Sequence, residues 1–122
     1  MRILVVDDEP LVAQTLSMIF RKHGFEVDTA YDAVDALRSA VVGNPDLVLC
    51  DIDMPGRDGI ALMHDLGREL PACPILVLTG HYAGLARVRS TAASLAQKIN
   101  ILTKPCQPLD LLREAGTMLS GA

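Results

Sequence analysis

The sequence predicts an α/β fold, a doubly wound sandwich in which five strands alternate with five helices. Three observations carry that expectation. Short apolar runs recur along the chain, amphipathic helical stripes fill the intervals between them, and Gly or Pro punctuates the junctions. With 122 residues, half of them apolar, the chain is expected to form one domain, 1–122, with a sizeable core.

Residues 3–6 (ILVV) are continuously apolar, as a strand buried on both faces of a parallel sheet must be. Pro10 opens the first helix, whose stripe is Val12, Leu16, Ile19 and Phe20, with Gly24 just past its end. Residues 25–30 (FEVDTA) alternate, which places the second strand near an edge. Asp32 caps a second helix with Ala33, Leu37, Ala40 and Val41 inward, stopped by Gly43 and Pro45. Residues 47–50 (LVLC) make the third strand, and Leu62, Met63, Leu66 and Leu70 line the third helix before Pro71. Residues 75–78 (ILVL) make the fourth strand, followed by Leu85, Val88, Ala92, Leu95 and Ile99 at helical spacing. Residues 100–103 (NILT) form the last, nearly apolar strand, and Pro108 opens a fifth helix with Leu109, Leu112, Ala115 and Leu119 inward. All these stripes read as core.

Composition narrows the function. A net charge of −4 offers no general basic footprint, so direct nucleic-acid binding is not expected. No apolar stretch is long enough to span a bilayer, and MRILVV meets Asp7 too early to be a secretion signal. Cys50, Cys73 and Cys106 are odd in number and lack metal-type spacing, which suits a reducing cytoplasm. Charge is unevenly spread. Residues 1–69 carry thirteen acidic and six basic side chains, whereas residues 70–109 carry only Arg87, Arg89, Lys98 and Lys104.

The residues that follow the buried runs are the informative ones. Asp7 and Asp8 follow the first, Asp51 the third, Thr79 the fourth and Lys104 the fifth. In a parallel sheet these ends share one edge, where ligands of open α/β sheets bind. Clustered carboxylates repel unless a cation joins them, and hard oxygen donors suit Mg²⁺ or Mn²⁺. With a lysine and a hydroxyl added, the set suits phosphoryl transfer, and a carboxylate can itself be the nucleophile. Taken singly the bland explanations hold: Asp7-Asp8 as a helix start, Asp58-Gly59 as a turn or helix start, Thr79 as a strand-end hydroxyl, Lys104-Pro105 as a surface turn. Jointly they do not.

VVDDEP, DLVLCDIDMPGRDG, ILVLTG and ILTKP resemble, in order and spacing, the receiver domain of two-component response regulators, over essentially the whole chain. The resemblance implies a CheY-like (flavodoxin-like) sheet of order 2-1-3-4-5. It also implies that Asp51 is the phosphoacceptor. Mg²⁺ would be bound by Asp8 and Asp51 directly, by Asp7 through water and by the backbone carbonyl of Asp53. Thr79 and Lys104 would bind phosphoryl oxygens, and the peptide before Pro105 would be cis. The implied partners are a sensor histidine kinase or histidine phosphotransfer protein, and a downstream protein or fused output domain. The latter would meet the face of the fourth helix, fifth strand and fifth helix, and the resemblance also allows a dimer. Because the chain ends soon after the fifth helical pattern, no output domain is expected within it.

The motifs also depart from the family pattern. The usual aromatic three residues before the motif lysine is Ile101, and Gln97-Lys98 stand where Gly-Ala is usual. Thr79-Gly80-His81-Tyr82 resembles a variant group of receivers that lack that aromatic. The switch is therefore expected in Gly80 to Leu85, with Tyr82 as its aromatic reporter, glycines 80 and 84 flanking it, and His81 tuning the phosphoryl lifetime. Arg87, Arg89 and Lys98 suggest an acidic partner for the fourth-helix surface. Two rival functions are a pseudo-receiver that binds partners without phosphate, and a haloacid dehalogenase-type phosphohydrolase, which also uses Asp-x-Asp. The second is disfavoured because Asp51-Ile52-Asp53 follows the third apolar run, not the first, and 122 residues are too few for the usual substrate-selecting cap. No turnover enzyme is expected.

Overall fold

The computed structural model describes residues 1–54, 59–80 and 82–120, with residues 82–84 described in backbone only. Its elements are β1 (Arg2–Val6), α1 (Pro10–Lys22), β2 (Glu26–Ala30), α2 (Ala33–Gly43) and β3 (Leu47–Asp51). They continue with α3 (Gly59–Glu69), β4 (Ile75–Thr79), α4 (Tyr82–Ser94), β5 (Ile99–Thr103) and α5 (Pro108–Leu119). All four strand pairings are parallel, in the order β2-β1-β3-β4-β5. That order and the element count agree with expectation.

Alternation along the strands sorts the apolar residues into two layers. Ile3, Val5, Leu47, Leu49, Leu76 and Leu78 pack with α1 and α5 around Phe20 and Leu111. Leu4, Val6, Val48, Cys50, Ile75 and Val77 pack with α2, α3 and α4 around Leu62, Met63 and Val88. Both faces of β1, β3 and β4 are thus covered, which is why their sequences are continuous apolar runs. The alternating β2 is an edge strand, as its pattern predicts. The other edge is β5, and its apolar sequence overstates its burial: four of its residues are only half-buried and Thr103 is exposed.

Local signals set the helix ends. Asp32 accepts a hydrogen bond from the Asp35 N–H at 2.7 Å, and α2 stops at Asn44 in a left-handed conformation. Pro10 and Pro108 sit in the first turns of α1 and α5. The inward faces differ from the predicted stripes by a rotation. In α1 the buried set is Ala13, Leu16, Ser17 and Phe20, while Val12 is exposed and Ile19 half-buried, so the small Ala13 takes the close approach to the sheet. In α5 the buried set is Leu111, Ala115 and Met118; Leu109 precedes Leu111 by two positions, about 200° around the helix, and is exposed. Val41 is likewise one position past the buried Ala40 and lies outside. Ile99 does not extend the α4 stripe: the helix ends at Ser94, and Ile99 pairs with Ile75 at the start of β5.

Gln97 explains one departure from the family pattern. Its buried amide donates to the Leu70 and Cys73 carbonyls at 3.4 and 3.2 Å, tying the α4–β5 connection to the α3–β4 connection. Two glycines mark tight packing of α3. A Cβ on Gly67 would meet Leu95 Cδ2 at 2.6 Å, the mobile end of a side chain. A Cβ on Gly59 would meet both the Cα and Cδ1 of Ile52 at 2.6 Å. Backbone cannot yield as a leucine methyl can, so Gly59→Ala should destabilise the fold by about 1–3 kcal/mol despite the better helix propensity of alanine. Gly67→Ala should cost less; urea denaturation of the two variants checks the order.

Candidate functional site

The parallel register brings the polar strand ends together. Val6 is level with Cys50, so Asp7 and Asp51 leave neighbouring strands at the same height. Asp51 is level with Leu78, one residue before Thr79, and Thr79 is level with Thr103, one residue before Lys104. The ladder continues past the strands: the Lys104 N–H donates to the Thr79 carbonyl at 2.8 Å, and the Asp7 N–H to that of Ala30 at 3.1 Å.

Asp51 is buried at the centre of this edge. Its Oδ1 accepts the Asp53 N–H at 2.9 Å and pairs with Lys104 Nζ at 2.9 Å. The first contact is an Asx-type turn, which orients the carboxylate with the chain's own backbone. Among the described residues Oδ2 accepts no hydrogen bond, leaving an oxygen for chemistry. Asp7 is buried too, with Oδ1 on the Glu9 N–H at 2.9 Å, while Asp8 is half-buried. Carboxylate oxygens of Asp7, Asp8 and Asp51 all lie within 4.8 Å of one another. Three hard donors at that separation fit a small divalent cation with room for water.

Lys104 answers several carboxylates. Burial pulls its ammonium pKa down, but the hydrogen bond to Asp51 and the charges of Asp51, Asp53 and Asp7 outweigh it, so the pKa is raised. The Lys104–Pro105 peptide is cis, as the resemblance implies. Beside Asp7 and Lys104 a cleft of about 540 Å³ runs over Val12, Leu16 and Leu111 to Cys106.

Asp53 does more than the sequence revealed. Its Oδ1 accepts the Thr79 hydroxyl at 3.3 Å, its Oδ2 accepts the Gly80 N–H at 2.8 Å, and Lys104 Nζ lies 3.8 Å from Oδ2. No composition or spacing signal announces this, because the contact joins the end of β3 to the end of β4, 26 residues further on. The expected switch elements are placed less fully. Ile101 is half-buried against the α2–α3–α4 layer. Gly80 does not have a left-handed φ, and a Cβ there would make only ordinary contacts with the Lys104 stem, so the present backbone does not demand glycine. His81, and the side chain of Tyr82 at the first residue of α4, lie outside the described residues. The cysteines are unpaired, and burial pushes the Cys73 thiol up to about 11 and the Cys50 thiol higher still.

Burial, followed by the charges of Asp51 and Asp8, lifts the Asp7 carboxyl to about 6, against the lowering by the Glu9 N–H and Lys104. The folded chain therefore binds this proton more tightly than the unfolded chain. Asp7 favours folding below its ordinary pKa of 3.8, and that contribution is lost as pH rises through about 6. Asp7→Asn should accordingly raise stability at neutral pH, without divalent cation, by roughly 2–3 kcal/mol. The gain should shrink to nothing towards about pH 4, as denaturant melts across that range would record.

The family follows from comparison with known proteins. A family model for the response regulator receiver domain matches residues 3–115. The transcriptional regulatory protein ResD of Bacillus subtilis is 32% identical over 121 residues, covering 99% of this chain and 49% of ResD. The probable transcriptional regulatory protein TcrX of Mycobacterium tuberculosis is 37% identical over 91 residues, covering 75% of this chain and 39% of TcrX. The chain thus spans less than half the length of these curated relatives. The receiver domain of NtrX from Brucella abortus superposes with a TM-score of 0.84 at 30% identity, covering 98% of this chain and 99% of that one. Chemotaxis protein CheY4 of Vibrio cholerae superposes at 0.83 and 26% identity, covering 96% and 97%. The chain belongs to the response regulator receiver domain family and is a receiver of two-component signalling.

Proposed function

We propose that Asp51 accepts a phosphoryl group from a phosphohistidine of a sensor histidine kinase or a histidine phosphotransfer protein. One observation carries the assignment. Asp51 is the buried strand-end carboxylate whose oxygen is held by both Lys104 and the Asp53 N–H, with Asp7 and Asp8 close enough to share a cation with it. In the transfer an Asp51 oxygen bonds to phosphorus, the phosphorus–nitrogen bond breaks, and the imidazole nitrogen keeps the electron pair. Lys104 neutralises charge on one phosphoryl oxygen, and the Thr79 hydroxyl donates to another. Asp7, Asp8, Asp51 and the Asp53 carbonyl would hold Mg²⁺ or Mn²⁺, which when bound spreads the charge of the transferring group. This is a phosphoacceptor that assists its own modification and its reversal, not a turnover enzyme.

The output step is proposed to run from Thr79 through Gly80 into α4, with Tyr82 as the responding aromatic and Ile101 leaving the space where many receivers carry a ring. Arg87 and Arg89 are exposed on α4 and Lys98 is exposed beyond it, which supports an acidic downstream partner on the α4–β5–α5 face. The unpaired cysteines support a reducing, cytoplasmic compartment.

Intact-mass analysis with acetyl phosphate and Mg²⁺ should show one added phosphoryl group on the wild type and none on Asp51→Asn. A wild type that stays unlabelled with both acetyl phosphate and its kinase would favour the pseudo-receiver reading. Tyr82→Ala should leave labelling intact while abolishing the phosphorylation-dependent amide shifts of α4 and β5 in heteronuclear NMR spectra.

A further inference from the structure

We infer that Arg21 latches the outer edge of β2 against pairing with β2 of a second copy of this chain. The latch holds whether or not Asp51 accepts a phosphoryl group. β2 lies at the edge of the sheet, with β1 as its neighbour in the parallel ladder. The Glu26 N–H donates to the Met1 carbonyl at 3.0 Å, and the Ala30 carbonyl accepts the Asp7 N–H at 3.1 Å. With those two bonds fixed, Glu26, Asp28 and Ala30 face β1, whereas Val27 and Thr29 turn their peptide groups outward. One outward group is already occupied: Arg21 reaches from α1, and its Nη2 donates to the Val27 carbonyl at 2.8 Å. Among the described residues, the Val27 N–H and the N–H and carbonyl of Thr29 have no hydrogen-bond partner.

The open edge is complementary to itself. Antiparallel pairing about a twofold axis through Asp28 sets Val27 of each copy opposite Thr29 of the other. Each such pair exchanges both of its N–H···O bonds, so every outward group on both strands finds a partner. A cleft of about 560 Å³ runs along this edge, with Arg21 and Thr29 on one side and Arg38, Ser39 and Val42 of α2 on the other. Val42 is 83% exposed, and a second strand lying in the cleft would cover it. Charge is complementary as well. Glu26 and Asp28 share the α2 face of the sheet with Ala30, where Arg38 of the other copy would approach them. Arg38 is held by an exposed ion pair with Asp35 at 3.2 Å, an attachment weak enough to exchange. Two features oppose pairing. Arg21 covers the Val27 carbonyl in each copy, and Asp28 would face its own twofold mate. Arg21 is the releasable one, because it is exposed and holds an oxygen that a second strand would satisfy in its place.

Sedimentation equilibrium of the unphosphorylated chain over a concentration series, without divalent cation, tests the latch. Arg21→Ala should dimerise roughly a hundredfold more tightly than the wild type, about tenfold for each of the two latches removed. Arg21→Met, which keeps a long aliphatic stem but donates nothing, should do the same, and urea melts check that both variants are folded. Hydrogen exchange locates the contact. In the dimer the Val27 and Thr29 amides should gain protection, whereas those of Asp28 and Ala30, which already face β1, should change little. Dimers that form without added protection at Val27 and Thr29 use another surface and overturn the inference. Folded Arg21→Ala and Arg21→Met proteins that associate no more tightly than the wild type overturn it as well.

Discussion

Four carboxylates and an ammonium are gathered at the carboxyl edge of the sheet, and the apolar strands behind hold them there. Asp7, Asp8, Asp51 and Asp53 come from the ends of two adjacent strands, and Lys104 from the far strand of the sheet. Left to themselves these groups would separate, because like charges in a partly buried site repel and lose hydration. They stay together because the apolar runs behind them leave no choice. β1 and β3 are buried on both faces, and a slip by one residue would exchange the side chains of the two core layers while moving Asp7 away from Asp51. The core thus supplies the energy that the site consumes.

The same imbalance gives the site its chemistry. An excess of negative charge makes a divalent cation the natural complement, and burial, followed by the charges of Asp51 and Asp8, lifts the Asp7 carboxyl to about 6. Lys104 is shared between Asp51 and Asp53 and satisfies neither completely. Such a site gains from an incoming cation, which lowers the repulsion among its carboxylates.

Much of this was legible in the residues. Continuous apolar runs over 3–6, 47–50 and 75–78 announced doubly covered strands, and the polar residue after each run announced the site. Asp32, Pro10 and Pro108 marked helix starts because capping and proline geometry are local effects. Helix faces were less legible. Val12, Val41 and Leu109 are apolar yet exposed, since burial depends on the angle at which a helix meets its sheet and not on hydrophobicity alone. Ile99 continued a helical rhythm by coincidence, across a connection that Gln97 closes with hydrogen bonds.

The sequence by itself determined the fold class, the family and the identity of the residues at the strand ends, because these follow from periodicity and from the order of side chains along the chain. Only the tertiary structure decided what Asp53 touches. Its neighbours Thr79, Gly80 and Lys104 stand at least 26 positions away, and its carboxylate reaches them just past the end of β3. Direction in space is set by packing and backbone geometry, which a one-dimensional pattern does not encode. From Asp51-Ile52-Asp53 alone, the two aspartates were separable by family role but not by contact; the fold gives one the close lysine contact and the other the hydroxyl, the amide and a longer approach of the same lysine.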